Sequence, residues 1–181
     1  MCDKKKMWNS AGKAGLILGA VSILYFFVSQ WLAGMSAGKA TSAFLISVLN
    51  FLIWAAKFAG CIILMHLFMK KFAAGEEQAD NSDTFKWGMA TAFLSALVYS
   101  AAYLAYVLFI SPEVFEESFD LIMQNYSSML DSNSIDAIDA LKDRMPTLSF
   151  FGNLIYCFLF GTILSAILSR NIPSRNPFDK K

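Results

Sequence analysis

Among the ionisable side chains of this sequence, Lys57 stands apart because it falls inside an apolar run, thirteen residues from Phe44 and eleven from Phe68. At about 1.5 Å per helical residue it lies roughly 16–20 Å from either end of that run, too deep for its stem to carry the ammonium to water. A lysine at the centre of a membrane helix costs about 2.5–3.5 kcal/mol on insertion scales, so it is expected to face a bundle interior and find polar partners there. The partners on its own segment are neutral: Asn50 seven residues earlier on the same face, Trp54 three residues earlier as a cation–π neighbour, and Cys61 one turn further on. Tyr99, Ser100 and Tyr103 of a later block supply further hydroxyls. Lys57 and Asn50 therefore allow two readings, an anion or proton site in a wet pocket or a structural lysine bonded to neutral groups. The second is favoured because no aspartate or glutamate falls within any apolar block.

Other chemistry is sparse. One histidine, His66, excludes an imidazole cluster, and no Walker loop, zinc-protease helix or dinucleotide fingerprint occurs. The chain is not expected to be an enzyme, and no cofactor is expected. Eight acids between Ser111 and Thr147 are spaced as a solvated helix face rather than a cage for a hard cation, so no metal site is expected. Cys2 lies at the N-terminus and Cys61 and Cys157 within apolar blocks, which makes free thiols the expectation. His66 and Asn153 fall near span ends and are read as interfacial.

The elements that must position Lys57 follow from composition. Apolar residues make up 56% of the 181 and charged ones 16%, against about 45–50% and about 25% in soluble domains. The excess gathers into four blocks, about 14–34, 43–68, 87–110 and 148–168, each near the roughly 20 helical residues that cross a hydrocarbon core. An all-α membrane protein is expected, a single domain built as a four-transmembrane-helix bundle. The first block is too long for a cleaved h-region and is expected to be a retained signal anchor. Small residues recur at four-residue spacing: Gly15 and Gly19; Gly88, Ala92, Ala96 and Ser100; Cys157, Gly161 and Ser165. Such rows let helix backbones approach in lipid and serve either a compact bundle or a homo-oligomer. Tyr25, Trp31, Trp54, Trp87 and Tyr156 read as interfacial belt or packing residues.

Orientation follows from the cations near the span ends. Eleven Lys and Arg flank one side (Lys4, Lys5, Lys6, Lys13, Lys70, Lys71, Lys86, Arg170, Arg175, Lys180, Lys181) and three the other (Lys39, Lys142, Arg144). Both termini are expected in the cytoplasm. The exterior segment, 111–147, opens on Ser111-Pro112-Glu113, a helix-start signature. Phe115, Phe119, Ile122 and Tyr126 then form one apolar stripe, expected to lie over the bundle mouth or to face a partner. The segment's net charge of −6 argues against docking on anionic lipid.

TFKWGMATAF at the third span, the SPEVFEE exit and FFGNLIYCFLFGTILSAIL in the fourth resemble a bacterial four-span family catalogued as domain of unknown function 4199. The resemblance implies the architecture and a bacterial inner-membrane address, with no activity and no functional residue. Two functions stay open: an accessory or partner-binding membrane protein, which is favoured, and a small-solute or ion permeation protein using Lys57. The expected partners are the bilayer and a membrane protein or second copy, not nucleic acid. A reporter fused after Lys71 is expected to read as cytoplasmic and one after Asp131 as exterior. An exterior signal at Lys71 contradicts this orientation.

Overall fold

The computed structural model describes residues 4–35, 40–75, 80–113 and 144–172, with 120, 123–125, 131, 133 and 140–142 between the last two. Four long helices follow in order among the described residues: α1 Lys4–Met35, α2 Ala40–Gly75, α3 Asn81–Phe109 and α4 Met145–Asn171. All four are long and apolar enough to cross a membrane, and no strand occurs among the described residues. The fold is an all-α four-helix membrane bundle.

The helices outrun the apolar blocks because polar residues beyond the hydrocarbon also favour helix. The stretch 72–86, whose Gly75, Asn81 and Ser82 read as a loop from sequence, is helical to Gly75 and again from Asn81. The restart is written in the sequence: the Asp80 carboxylate accepts from the Asp83 N–H at 2.6 Å, and the Thr84 hydroxyl donates to the Asp80 carbonyl at 3.0 Å. Asp83 in the first turn also complements the helix dipole. Its 3.7 Å pair with Lys86 is a surface contact of little weight. At the other end of α3, Pro112 disfavours further helix in the residue before it, and the Ser111 hydroxyl donates to the Tyr106 hydroxyl at 3.1 Å. Proline also sits at the start of α4, where its missing N–H costs nothing. Between α3 and α4 the described residues 113, 120, 123–125, 133 and 140–142 are helical. The expected stripe of Phe115, Phe119, Ile122 and Tyr126 lies outside the described residues.

Lipid tails are as apolar as leucine, so these helices associate through close packing rather than through hydrophobic burial. α3 is the central element, packed along α1 on one side and α4 on the other. A Cβ added to Gly15 would meet Leu94 Cβ at 2.9 Å, and one added to Gly19 would meet Val98 Cγ1 at 2.8 Å. Across the other seam, a Cβ on Gly161 would reach Ala92 Cβ at 2.5 Å and one on Gly88 would reach Ser165 Oγ at 2.7 Å. The small-residue rows are thus the contact lines. Ser165 donates its own hydroxyl to the Gly161 carbonyl at 2.7 Å, one turn back along the same helix.

α2 joins differently. Met65, Met69, Phe72 and Ala73 of its C-terminal half enter the buried core with Ala11, Ala14, Leu18, Trp87, Ala90 and Leu168, and the Phe72 and Trp87 rings stack at 5.2 Å. Its N-terminal half leaves Phe44, Leu45, Val48, Leu49, Phe51 and Leu52 exposed. The core therefore sits at the end of the bundle where α1 begins, and α2 stands looser at the opposite end.

Gly161→Ala is expected to lower the thermal midpoint in detergent, because forcing a group into a packed seam costs about 1–3 kcal/mol. Gly60→Ala, whose Cβ would meet nothing within 4 Å, is expected to leave the midpoint unchanged or raise it. Equal effects at the two positions contradict the seam.

Candidate functional site

Lys57 stands near the middle of α2, above the point where that helix enters the core. It lines a cavity of about 190 Å³ to which every helix contributes: Ser22 from α1, Cys61 from α2, Tyr99 from α3 and Cys157 from α4. The α1 and α3 members are buried or half-buried, whereas Trp54 and Phe58 of α2 and Tyr156 of α4 are exposed. The cavity therefore opens between α2 and α4, toward the surface that lipid covers. Toward the core it closes on Leu18 and Met65, which belong to the packed cluster.

The ammonium Nζ lies 4.5 Å from the centre of the Tyr25 ring and 5.5 Å from that of Tyr99. Both fall within the roughly 6 Å over which the negative face of an aromatic ring attracts a cation. Tyr25 from α1 and Tyr99 from α3 thus clasp Lys57 of α2 across three helices. Among the described residues no carboxylate pairs with it.

The expected partners divide. Tyr99 and Cys61 are at the site. Trp54 lines the cavity but stacks between Phe51, at 5.9 Å, and Phe58, at 5.5 Å, rather than over the ammonium. Tyr103 packs edge-on to Phe26 at 5.5 Å, and Ser100 is buried with its hydroxyl unpartnered among the described residues. Asn50 is half-buried two turns along α2 and does not line the cavity. His66 and Asn153 are half-buried and also lie outside the lining.

Tyr25, assigned to belt or packing from sequence, is the nearer clasp. Counting depth would have found it. Tyr25 is eleven residues from Ala14, Lys57 eleven from Phe68, Tyr99 twelve from Trp87 and Cys157 eleven from Leu168. In an antiparallel bundle with both termini on one side, these four share one level.

Set against known proteins, residues 13–170 match the family model described as protein of unknown function (DUF4199). The chain belongs to the DUF4199 family. The match takes in α2 and α3 whole, most of α1 and α4, and every residue of the Lys57 cluster. No curated protein and no solved structure matches the chain. For this DUF4199 bundle, then, the geometry itself carries the chemistry: a cation held by aromatic faces, with thiols and a hydroxyl nearby, open sideways to lipid.

A spin label at Lys57→Cys, in a background of Cys2→Ala, Cys61→Ala and Cys157→Ala, is expected to show restricted motion and weak contact with lipid-dissolved oxygen. Free motion with strong oxygen contact contradicts the interior position.

Proposed function

We propose that this chain is an accessory membrane protein, not an enzyme, that holds a lipid-soluble molecule with an anionic or carbonyl-bearing head in the cavity at Lys57. The observation that supports it is a cation without a counter-charge among the described residues, lining a cavity whose exposed members are Trp54, Phe58 and Tyr156. An unpaired ammonium in a dry setting gains most from an acceptor brought to it. Trp54, Phe58, Tyr156 and Phe160 give the remainder of such a molecule an aromatic wall. Permeation, the rival reading, needs a passage leading out of both ends. The packed cluster of Leu18, Met65, Met69, Trp87 and Leu168 stands against it.

The same proposal puts the protein in a bacterial inner membrane with both termini cytoplasmic, supported by the bias of Lys and Arg toward the bundle end where α1 begins. A membrane partner or a second copy of the chain would meet it through the segment between α3 and α4.

Palmitate labelled with ¹³C at its carboxyl is a direct probe. The wild-type protein in mild detergent is expected to give a bound carboxylate resonance distinct from that in micelles. Lys57→Met is expected to bind about tenfold more weakly or worse while melting no earlier, and Lys57→Arg to keep much of the affinity. Equal binding by wild type and Lys57→Met overturns the proposal. So does a chloride or proton flux in proteoliposomes that disappears in Lys57→Met, which would favour permeation.

A further inference from the structure

A second cavity, of about 440 Å³, lies between α1 and α2 at the end of the bundle where α1 begins and α2 ends. Its α1 wall is Lys6, Ser10, Lys13 and Ile17, which at intervals of four, three and four residues share one helix face. Its α2 wall carries Phe68, Lys71 and Phe72 on a single face as well. Both walls have the same order. Lysine comes at the polar end, and one turn deeper stands an apolar side chain, Ile17 after Lys13 on α1 and Phe68 before Lys71 on α2.

Three lysines, all exposed, thus line one space, and among the described residues no carboxylate pairs with Lys6, Lys13 or Lys71. Trp87 of α3 lines the same cavity, is 1% exposed, and has an indole N–H with no acceptor among the described residues. A buried donor without a partner is uncommon, and here it borders a basic pocket.

We propose that this cavity binds the phosphate head of an anionic phospholipid. The lysines and the Ser10 hydroxyl hold the phosphate, and an acyl chain runs along Ile17 and Phe68. The layered order of charge and apolar surface selects an amphiphile, since free phosphate has no use for the apolar turn. Basic pockets between membrane helices take anionic lipid heads, with about 1 kcal/mol from each lysine near the surface. The site is separate from the Lys57 cavity, shares no lining residue with it, and does not depend on what that cavity binds.

Native mass spectrometry of the full chain, with phosphatidylglycerol or phosphatidylcholine added, tests this directly. Wild type is expected to retain phosphatidylglycerol preferentially, and 10 mM inorganic phosphate (roughly a hundred times the lipid) is expected not to displace it. Lys71→Gln is expected to cut that retention about fivefold and Lys13→Gln with Lys71→Gln about tenfold or more. Lys4→Gln with Lys70→Gln removes the same charge from equally exposed lysines that do not line the cavity and is expected to keep the preference. Equal retention of the two lipids overturns the proposal, as does an equal loss in the two double variants. Displacement by inorganic phosphate reassigns the site to the free anion.

Discussion

Everything in this bundle depends on how closely α3 can approach its neighbours in a solvent that gives apolar side chains no reason to associate. Glycine at 15 and 19 seats α1 on α3, and glycine at 88 and 161 seats α4 on its other side. A single methyl at Gly161 would press on Ala92 Cβ, which is fixed to the backbone and has no far end to swing away. The same small side chains have a second consequence. Ala92, Ala96 and Gly161 form part of the wall of the Lys57 cavity, so the residues that tighten the seam also leave the space beside it.

That space exists because α2 is held at one end. Its C-terminal half packs into the core through Met65, Met69 and Phe72, while its N-terminal half presents its large apolar side chains outward. Lys57 lies between the two regimes. Magnitudes explain why its partners matter: insertion costs about 2.5–3.5 kcal/mol, and a cation over a ring returns about 0.5–2 kcal/mol, more where it is dry. Tyr25 at 4.5 Å is the stronger contributor and Tyr99 at 5.5 Å the weaker, being near the limit of the interaction. Two rings together return about 1–4 kcal/mol, the same order as that cost, and an acceptor group entering from lipid would add to what they return. At the polar end of α1 and α2 the situation differs, since lysines near a bundle end meet water and lipid heads and need no such clasp.

Much of this fold could be read before any coordinates. Hydrophobic blocks near the length of a bilayer give four helices, and rows of Gly, Ala and Ser at four-residue spacing give the seams, because both depend on local sequence and a fixed helical repeat. The stretch 72–86 was harder, since its polar residues look like a loop until Asp80 is recognised as a cap. Lys57 was legible as the residue to watch, because its depth follows from counting. Its nearest partner was not, because Tyr25 sits thirty-two positions away on another helix and only relative depth connects the two. Asn50 shared the right face of α2 but the wrong depth, and a helix face alone carries no information on which neighbour meets it. The basic cavity between α1 and α2 escaped the sequence reading for the same reason: its lysines were counted as topology signals, and their convergence is a property of packing.

Solid-state NMR of the protein in bilayers, with ¹⁵N in lysine side chains and ¹³C in tyrosine rings, addresses the clasp itself. Lys57→Arg identifies the Lys57 ammonium resonance by its disappearance. The structure predicts dipolar contact between that nitrogen and tyrosine ring carbons, reduced in Tyr25→Leu more than in Tyr99→Leu because the Tyr25 ring is the nearer. An ammonium that contacts only water or acyl chains, with no tyrosine ring nearby, would contradict the account.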